Sequence, residues 1–547
     1  MKSHLALLFL RLFSTFAVNG LYARETASDN TADVTNVPMI GTSVVTLNTT
    51  AVRLRWRAAD PLLAGLLVQL HTLAETVTVS TSPTFPPDSS YSGTSAGLWV
   101  ALSSFDINVD VYARASGVTN ASVSATGFTQ EDPVPGACNL EFRMENDPNV
   151  HLSFSEFETV MEFAPANVGA ARGEDPLSCD AGQGSHSRWQ LTYEVYQYFL
   201  PEGDLSEGAL FDGLKVVDSV EAVRRHGSKM SSLSSSSKTQ LYGHAFTGIG
   251  VIHVVVVSDP SLNTSSLYVP AVTYSCYFSS VVPPTCHTQG EIFSLMFFTL
   301  LGTCGLFVCF TGHRFLEAEY FFFGFLISSF LCILLMGRYS GQSLQLCVLY
   351  SAVAGWWGGF LCALCRWRFG MPLLLTSLAG LVLGTVMTAV VMVTPIVNTE
   401  PLRNDLLYWV CVATGALVLP VLMLSCTRAL NMAASAIVGS YMAVAALGLY
   451  LHAALPHVIS SALLRRAVSP SYHQALLVLP FQILDGLLIF LWGALMVCGL
   501  LSQWRLTRGR PHFPQCPYQK RRQLCGQPRP VDERTPLLFD GQDFGSQ

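Results

Sequence analysis

Four sets of residues in this 547-residue chain carry reactive or recognisable side chains at informative spacing. Asn48, Asn120 and Asn263 each precede a Ser or Thr by two positions, the acceptor pattern for N-glycosylation, and that pattern marks exposed loops of exported chains. Cys138, Cys179, Cys276 and Cys286 form an even set, as expected of disulfides in an oxidising compartment. Four cysteines allow three connectivities, and pairing Cys138 with Cys179 and Cys276 with Cys286 closes short loops. His452, His457, His473 and Asp485 are ligand types that zinc accepts, in the manner of seven-span membrane hydrolases. Yet His452 and His457 are five apart, on different faces of a helix, with Pro456 between them. Glu533-Arg534-Thr535-Pro536-Leu537-Leu538 is an acidic dileucine pattern: two leucines for apolar pockets on a clathrin adaptor, and a carboxylate four positions before Leu537 for a basic patch.

The ectodomain histidines form neither HExxH nor another tight metal spacing, and no Cys/His nucleophile pattern occurs. The sequence therefore reads as non-enzymatic, with no catalytic residues, no metal site and no cofactor.

The elements that position these residues follow from composition. Charged residues make up 12% and hydrophobic residues 50%, against about 25% charged in a soluble domain. A single soluble domain and a disordered chain are both excluded. Residues 24–290 hold 27 acidic against 13 basic side chains, a net of −14, whereas the tail from Arg505 is net +4. That asymmetry fits two sides of a membrane rather than a nucleic-acid partner.

Residues 1–23 read as a secretory signal peptide, with Lys2 ahead of an apolar run that Arg11 interrupts. Residues 24–131 and 132–288 read as two β-rich luminal or extracellular modules of β-sandwich type, divided near Asp132-Pro133-Val134-Pro135-Gly136. Ser43–Leu47, Leu67–Leu70, Val77–Ser80, Ile107–Val111, His151–Phe154, Val251–Val257 and Tyr268–Phe278 predict strands, and Ser228–Lys238 a Ser-rich loop. Residues 289–504 predict a seven-helix transmembrane bundle, with spans Ile292–Phe310, Tyr320–Met336, Leu344–Cys365, Met371–Ile396, Leu406–Cys426, Met432–Leu455 and Ile483–Leu501. Residues 505–547 form a cytosolic tail bearing the dileucine signal. Lys and Arg are concentrated in the segments this topology places in the cytosol.

Within the bundle, Gly302-x-x-Gly305, Gly355, Gly358-Gly359 and Gly380-x-x-x-Gly384 predict close helix approach. Asp485, Glu317 and Glu319 read as interfacial, solvated carboxylates. A G-protein-coupled reading fails on local chemistry: the third span ends Arg366-Trp367-Arg368, and the seventh lacks Asn-Pro-x-x-Tyr. Partners implied are membrane lipid, clathrin adaptors on the tail and an unidentified luminal protein or ligand.

Several stretches resemble the transmembrane 7 superfamily member 3 family. They include Asp132-Pro133-Val134-Pro135-Gly136, Cys138-Asn139-Leu140-Glu141-Phe142, Phe163-Ala164-Pro165-Ala166-Asn167, Ser187-Arg188-Trp189 and Val195-Tyr196-Gln197-Tyr198-Phe199-Leu200-Pro201-Glu202. Gly312-His313-Arg314-Phe315, Trp367-Arg368-Phe369-Gly370, Gly439-Ser440-Tyr441, Arg508-Gly509-Arg510-Pro511 and Glu533-Arg534-Thr535-Pro536-Leu537-Leu538 continue it, from about residue 130 to the end. The resemblance implies a multispan glycoprotein that restrains stress signalling from the endoplasmic reticulum and protects cells from programmed death, without enzymatic activity. The expected alternative is a transporter or channel of endosomal or lysosomal membranes. Expected locations are the plasma membrane or the endosome and lysosome, or else the endoplasmic reticulum and nuclear envelope, with the N-terminus luminal or extracellular and the C-terminus cytosolic.

Overall fold

The computed structural model describes residues 34–38, 41–57, 60–102, 108–138, 150–154, 158–168, 188–235, 239–246, 248–276, 291–339, 344–369, 372–394, 404–423, 426–459, 462–463, 479 and 481–509. The signal segment, Cys179, Cys286, His473 and the tail residues Glu533, Leu537 and Leu538 lie outside the described residues.

The first module is two sheets face to face. One runs β1 (Val34–Asn36), β3 (Val52–Arg57), β8 (Asn108–Ala115), β5 (Val77–Ser80), β6 (Ser90–Gly93). The other runs β2 (Ser43–Leu47), β9 (Thr119–Thr129), β4 (Leu63–His71), β7 (Ser95–Ala101). Alternation sends Leu54, Trp56 and Val111 from one sheet against Leu66, Val68, Leu70 and Val123 from the other, all buried in one apolar cluster. On the outer face, Arg53 and Arg55 both bind the Asp110 carboxylate. Their hydrogen bonds hold its pKa down at about 2.

In the second module β14 (Thr192–Phe199) lies between β15 (Ser228–Ser234) and β17 (Val251–Asp259). β18 (Thr264–Leu267) and β19 (Ala271–Thr273) both pair with β17. A second sheet runs β11 (Val150–Phe154), β12 (Glu158–Phe163), β16 (Gln240–His244), and β10 (Pro133–Val134) pairs with β13 (Asn167–Val168). The unbroken apolar run of β17 is explained by burial on both faces. Val255 and Val257 join Phe163, Tyr193 and Leu241. Ile252, Val254 and Val256 join Leu210, Leu214 and Val223 of two helices, α1 (Glu207–Val216) and α2 (Val220–His226). Each helix starts at a serine whose hydroxyl accepts a backbone N–H, Ser206 from Ala209 and Ser219 from Ala222.

Two local expectations are corrected here. Ser228–Ser234, read as part of a loop, is an edge strand whose pairing to β14 shifts register at Val195/Tyr196: Met230 and Leu233 pack on the module's apolar cluster, Ser231 is buried beside them, and Ser232 and Ser234 face out. Tyr268–Phe278 is not one strand. The chain leaves β18 at Leu267 and re-enters the sheet at Ala271, because Pro270 offers no N–H to the ladder.

Leu67 and Phe128 of the first module meet Val269 of the second, with the Trp99 ring 5.0 Å from that of Phe128.

Seven longer helices follow among the described residues: α3 (Glu291–Thr311), α4 (Leu316–Tyr339), α5 (Leu344–Phe369), α6 (Pro372–Met392), α7 (Asp405–Leu422), α8 (Thr427–Tyr450) and α9 (Ile483–Thr507). Six are long and apolar enough to cross a membrane, and the apolar helix Leu406–Leu422 is shorter. That refines the expectation of seven comparable spans. The Asn404 side chain caps α7 at its start, and the backbone leaves helical geometry at Met423. The glycines pack helices together. A Cβ on Gly305 would stand 2.8 Å from the Gly439 carbonyl of α8, and one on Gly384 would collide with the Ala416 carbonyl of α7.

Candidate functional site

The ectodomain is seated on one end of the bundle, and the contact begins with one amide. Beyond β14 the chain turns through Leu200 to Asp204. The Gln482 Nε2 donates to the Leu200 carbonyl at 2.8 Å, and its Oε1 accepts the Glu202 backbone N–H at 3.2 Å. Gln482 thereby completes two backbone groups that no sheet serves. It is also the N-cap of α9, where it forms a capping box with Asp485 three residues on.

Asp485 is fully buried. One oxygen accepts the Leu455 N–H at 2.9 Å and the other faces the Gln482 N–H at 3.4 Å. The Glu202 carboxyl comes down on this group from the ectodomain side. Burial, then a hydrogen bond to Asp485 and its charge, push the Glu202 pKa up to about 8. The raised value keeps the Glu202 carboxyl protonated near neutral pH, because ionising it beside the buried Asp485 without a cation between them is costly.

Around this polar centre lies an aromatic and apolar plate. The His457 ring is 5.0 Å from that of His244 and 5.9 Å from that of Phe246. Phe246 and Ile249 share a buried cluster with Leu455 and Val458 of the bundle. His452 sits at φ 52, just beyond α8, and its ring closes on Gly248: a Cβ there would lie 3.1 Å from Nδ1. Gly248 itself has φ 81, so both space and backbone demand glycine.

The four zinc-type residues are thus given separate tasks. Asp485 caps a helix, His457 packs on the ectodomain, His452 packs on Gly248, and His473 lies outside the described residues. No cluster of three or more His, Cys, Asp or Glu fit to hold a metal occurs among the described residues. Asp485 is not solvated, as its position in sequence suggested. It is buried because the ectodomain covers that end of α9, a cover that hydropathy along the chain does not reveal.

The opposite end of the bundle holds a second buried polar group. Glu319, in the first turn of α4, and Asn431, in the first turns of α8, are both fully buried. Asn431 Nδ2 donates to Glu319 Oε2 at 2.8 Å and lies 3.2 Å from His313 Nδ1. Ser435 and Gln503 hydrogen-bond beside them at 3.2 Å, and Gln503 Nε2 also donates to the Cys309 carbonyl at 2.8 Å. Glu319 Oε1 and Asn431 Oδ1 are buried with no hydrogen-bond partner among the described residues. The sequence reading had both carboxylates of this turn in solvent. Glu317 is exposed, but Glu319, two positions on, is turned inward. The missed signal was the polar pairs Asn431/Ser435 and Gln503/Thr507, each at the i, i+4 spacing of one helix face.

The sequon asparagines are all exposed. Asn48 accepts from Thr50, Asn263 takes φ 55 between β17 and β18, and Asn120 Nδ2 donates to Glu207 Oε2 of α1 at 3.0 Å. Cys138 and Cys276 are each disulfide-bonded.

Comparisons with known proteins agree with this architecture. Three family models match: the TM7SF3-like N-terminal immunoglobulin-like domain over residues 37–129, the TM7SF3-like second immunoglobulin-like domain over 133–279 and the TM7S3/TM198-like domain over 298–504. The match reaches into the first module, beyond the stretches that carried the resemblance in sequence. Among similar proteins, transmembrane 7 superfamily member 3 of Homo sapiens is 39% identical over 456 residues, 83% of this chain and 80% of its own length. The Rattus norvegicus protein of that name is 40% identical and the Mus musculus one 39%, over the same shares.

Proposed function

The chain belongs to the transmembrane 7 superfamily member 3 family, and on that footing we propose that it is a non-enzymatic, receptor-like membrane glycoprotein that protects cells from endoplasmic reticulum stress and programmed death. The observation that carries a regulatory role is the Gln482 clasp on the Leu200–Glu202 turn. Through it, a partner that binds the immunoglobulin-like ectodomain acts directly on the last helix, whose other end leads into the basic tail. The ectodomain is luminal or extracellular and the tail cytosolic, which the confinement of the sequons to residues 24–288 and the distribution of Lys and Arg support. Glu533, Leu537 and Leu538 engage clathrin adaptors, and Asn48, Asn120 and Asn263 carry glycans. Survival of cells lacking the protein, challenged with an inhibitor of N-glycosylation, tests the role. Wild-type protein restores survival and Gln482→Ala at equal abundance restores less. Survival indifferent to the wild-type protein overturns the reading.

A second reading, a transporter or channel of endosomal or lysosomal membranes, is favoured by the Glu319–Asn431–His313 group, since a buried ionisable residue in a membrane domain marks a path for ions or protons. Solute or proton flux in liposomes that Glu319→Gln abolishes would decide for it.

A further inference from the structure

The first module turns a polar sheet face toward the second. Along β4, Leu66, Val68 and Leu70 enter the core, so Gln69 and His71 lie on the opposite face. Strand register sets Gln69 beside Ser124 and His71 beside Ser122 of β9. The second module roofs this row with Leu214, Val217, Leu267 and Pro270, and a cavity of about 250 Å³ remains between floor and roof.

The residues of the floor are buried, with their polar groups turned to the cavity. Gln69 is 6% exposed, His71 3% and Ser122 2%. The Gln69 amide and the Ser122 hydroxyl make no side-chain hydrogen bond among the described residues, and His71 Nδ1 has no partner there either. Burial holds the His71 pKa down at about 4, so the ring is neutral and offers one donor and one acceptor nitrogen. Buried polar groups are normally paired; His71 Nδ1 is buried without a partner, and the Gln69 amide and Ser122 hydroxyl are left open to the cavity beside it, so this wall points to something that completes it.

The chemistry of the lining narrows what that is. Among the described residues it includes no Lys or Arg to neutralise an anion, and one carboxylate, Asp218. A hydroxyl-and-amide floor under an apolar roof matches a sugar ring, with hydroxyls at its rim and C–H groups on its faces. The volume equals the liquid share of about eight waters, below the ~300 Å³ at which drug-sized pockets begin. That is room for one ring.

We propose that the cleft between the two ectodomain modules binds a single uncharged sugar ring, held by Gln69, His71 and Ser122 against the Leu214–Val217 roof. The ring comes either from a free saccharide or from the first sugar of the chain's own glycan at Asn120, which lies on the same face of β9 two residues from Ser122. The site goes beyond the regulatory role proposed above and does not depend on it.

Saturation-transfer NMR on the full chain in lipid nanodiscs, with N-acetylglucosamine, mannose and galactose as probes, tests it. The proteins are wild type, Asn120→Gln, and Asn120→Gln carrying either Gln69→Ala or Ser124→Phe. The expected result is transfer to at least one sugar with Asn120→Gln, weakened about tenfold or more by Gln69→Ala, which removes one amide without filling space, and by Ser124→Phe, which fills the cleft. Equal transfer with glycosylated wild type identifies a free saccharide as the source; transfer only after Asn120→Gln identifies the chain's own glycan. No transfer to any sugar from either wild type or Asn120→Gln overturns the proposal. So does transfer that neither cleft variant weakens while thermal unfolding shows both folded.

Discussion

The Asp485 carboxylate accepts the Leu455 backbone N–H at 2.9 Å across 30 residues of chain. The same side chain caps α9 through Gln482, and Gln482 holds the ectodomain turn. One buried carboxylate therefore fixes where α9 begins and where the ectodomain lands. Replacing it with alanine strands the Leu455 N–H and loosens the cap. Asp485→Ala is expected to cost about 1–3 kcal/mol, read as a lower unfolding temperature of the purified protein. Asp485→Asn retains an acceptor oxygen and should recover most of the loss.

Stability should fall as pH rises. The Glu202 carboxyl is held protonated in the folded protein, with its pKa raised from 4.5 to about 8 by burial and by Asp485. Between those values the folded state binds a proton that the unfolded state has released, so the stabilisation present below 4.5 is lost progressively as pH rises toward about 8. Acidic surroundings would tighten the junction. Glu202→Gln removes the titration and should flatten this part of the profile of unfolding temperature against pH. A Glu202→Gln profile as steep as that of wild type contradicts the raised pKa of Glu202.

The opposite end of the bundle makes a separate prediction. Asn431→Leu leaves the Glu319 carboxyl buried beside an apolar side chain and is expected to destabilise by about 1–3 kcal/mol or more. Adding Glu319→Leu removes the stranded group as well. The double variant should lose less than the sum of the singles, with a coupling of about 0.5–3 kcal/mol. Strict additivity in thermal unfolding would show that the 2.8 Å contact carries no energy.

Much of this architecture was legible because it rests on local signals. Alternation placed Ser43–Leu47 and Val77–Ser80 as strands with their bounds. Apolar length gave the bundle, and the glycines of α3, α5 and α6 announced close packing. What was not legible depends on contacts between distant segments. Ser228–Ser234 is a strand only because β14 offers it a partner, although its serines suggest a loop. Asp485 and Glu319 are ionisable residues at helix starts, and such positions read as interfacial. The first is buried by an ectodomain turn some 280 residues earlier and the second by Asn431, 112 residues later. Pattern along one helix reveals the polar face but not what covers it.

The tail makes its own prediction. Leu537→Ala with Leu538→Ala removes both side chains that would fill an adaptor's apolar pockets, while Glu533 keeps its charge. Surface biotinylation should rise several-fold as internalisation fails. An unchanged surface pool, with both proteins retained in the endoplasmic reticulum, contradicts adaptor binding.

The most direct test of the coupling between ectodomain and bundle is amide hydrogen exchange on the full chain in nanodiscs, comparing wild type with Gln482→Ala. The Glu202 N–H is bound by Gln482 Oε1, whereas the amides of β14 are bound by β17 and β15. If the clasp joins the two domains, the variant exchanges faster across Leu200–Asp204 and at the start of α9, and protection within β14 stays as in wild type. Unchanged exchange at both the turn and the helix start would contradict the clasp as the link between ectodomain and membrane.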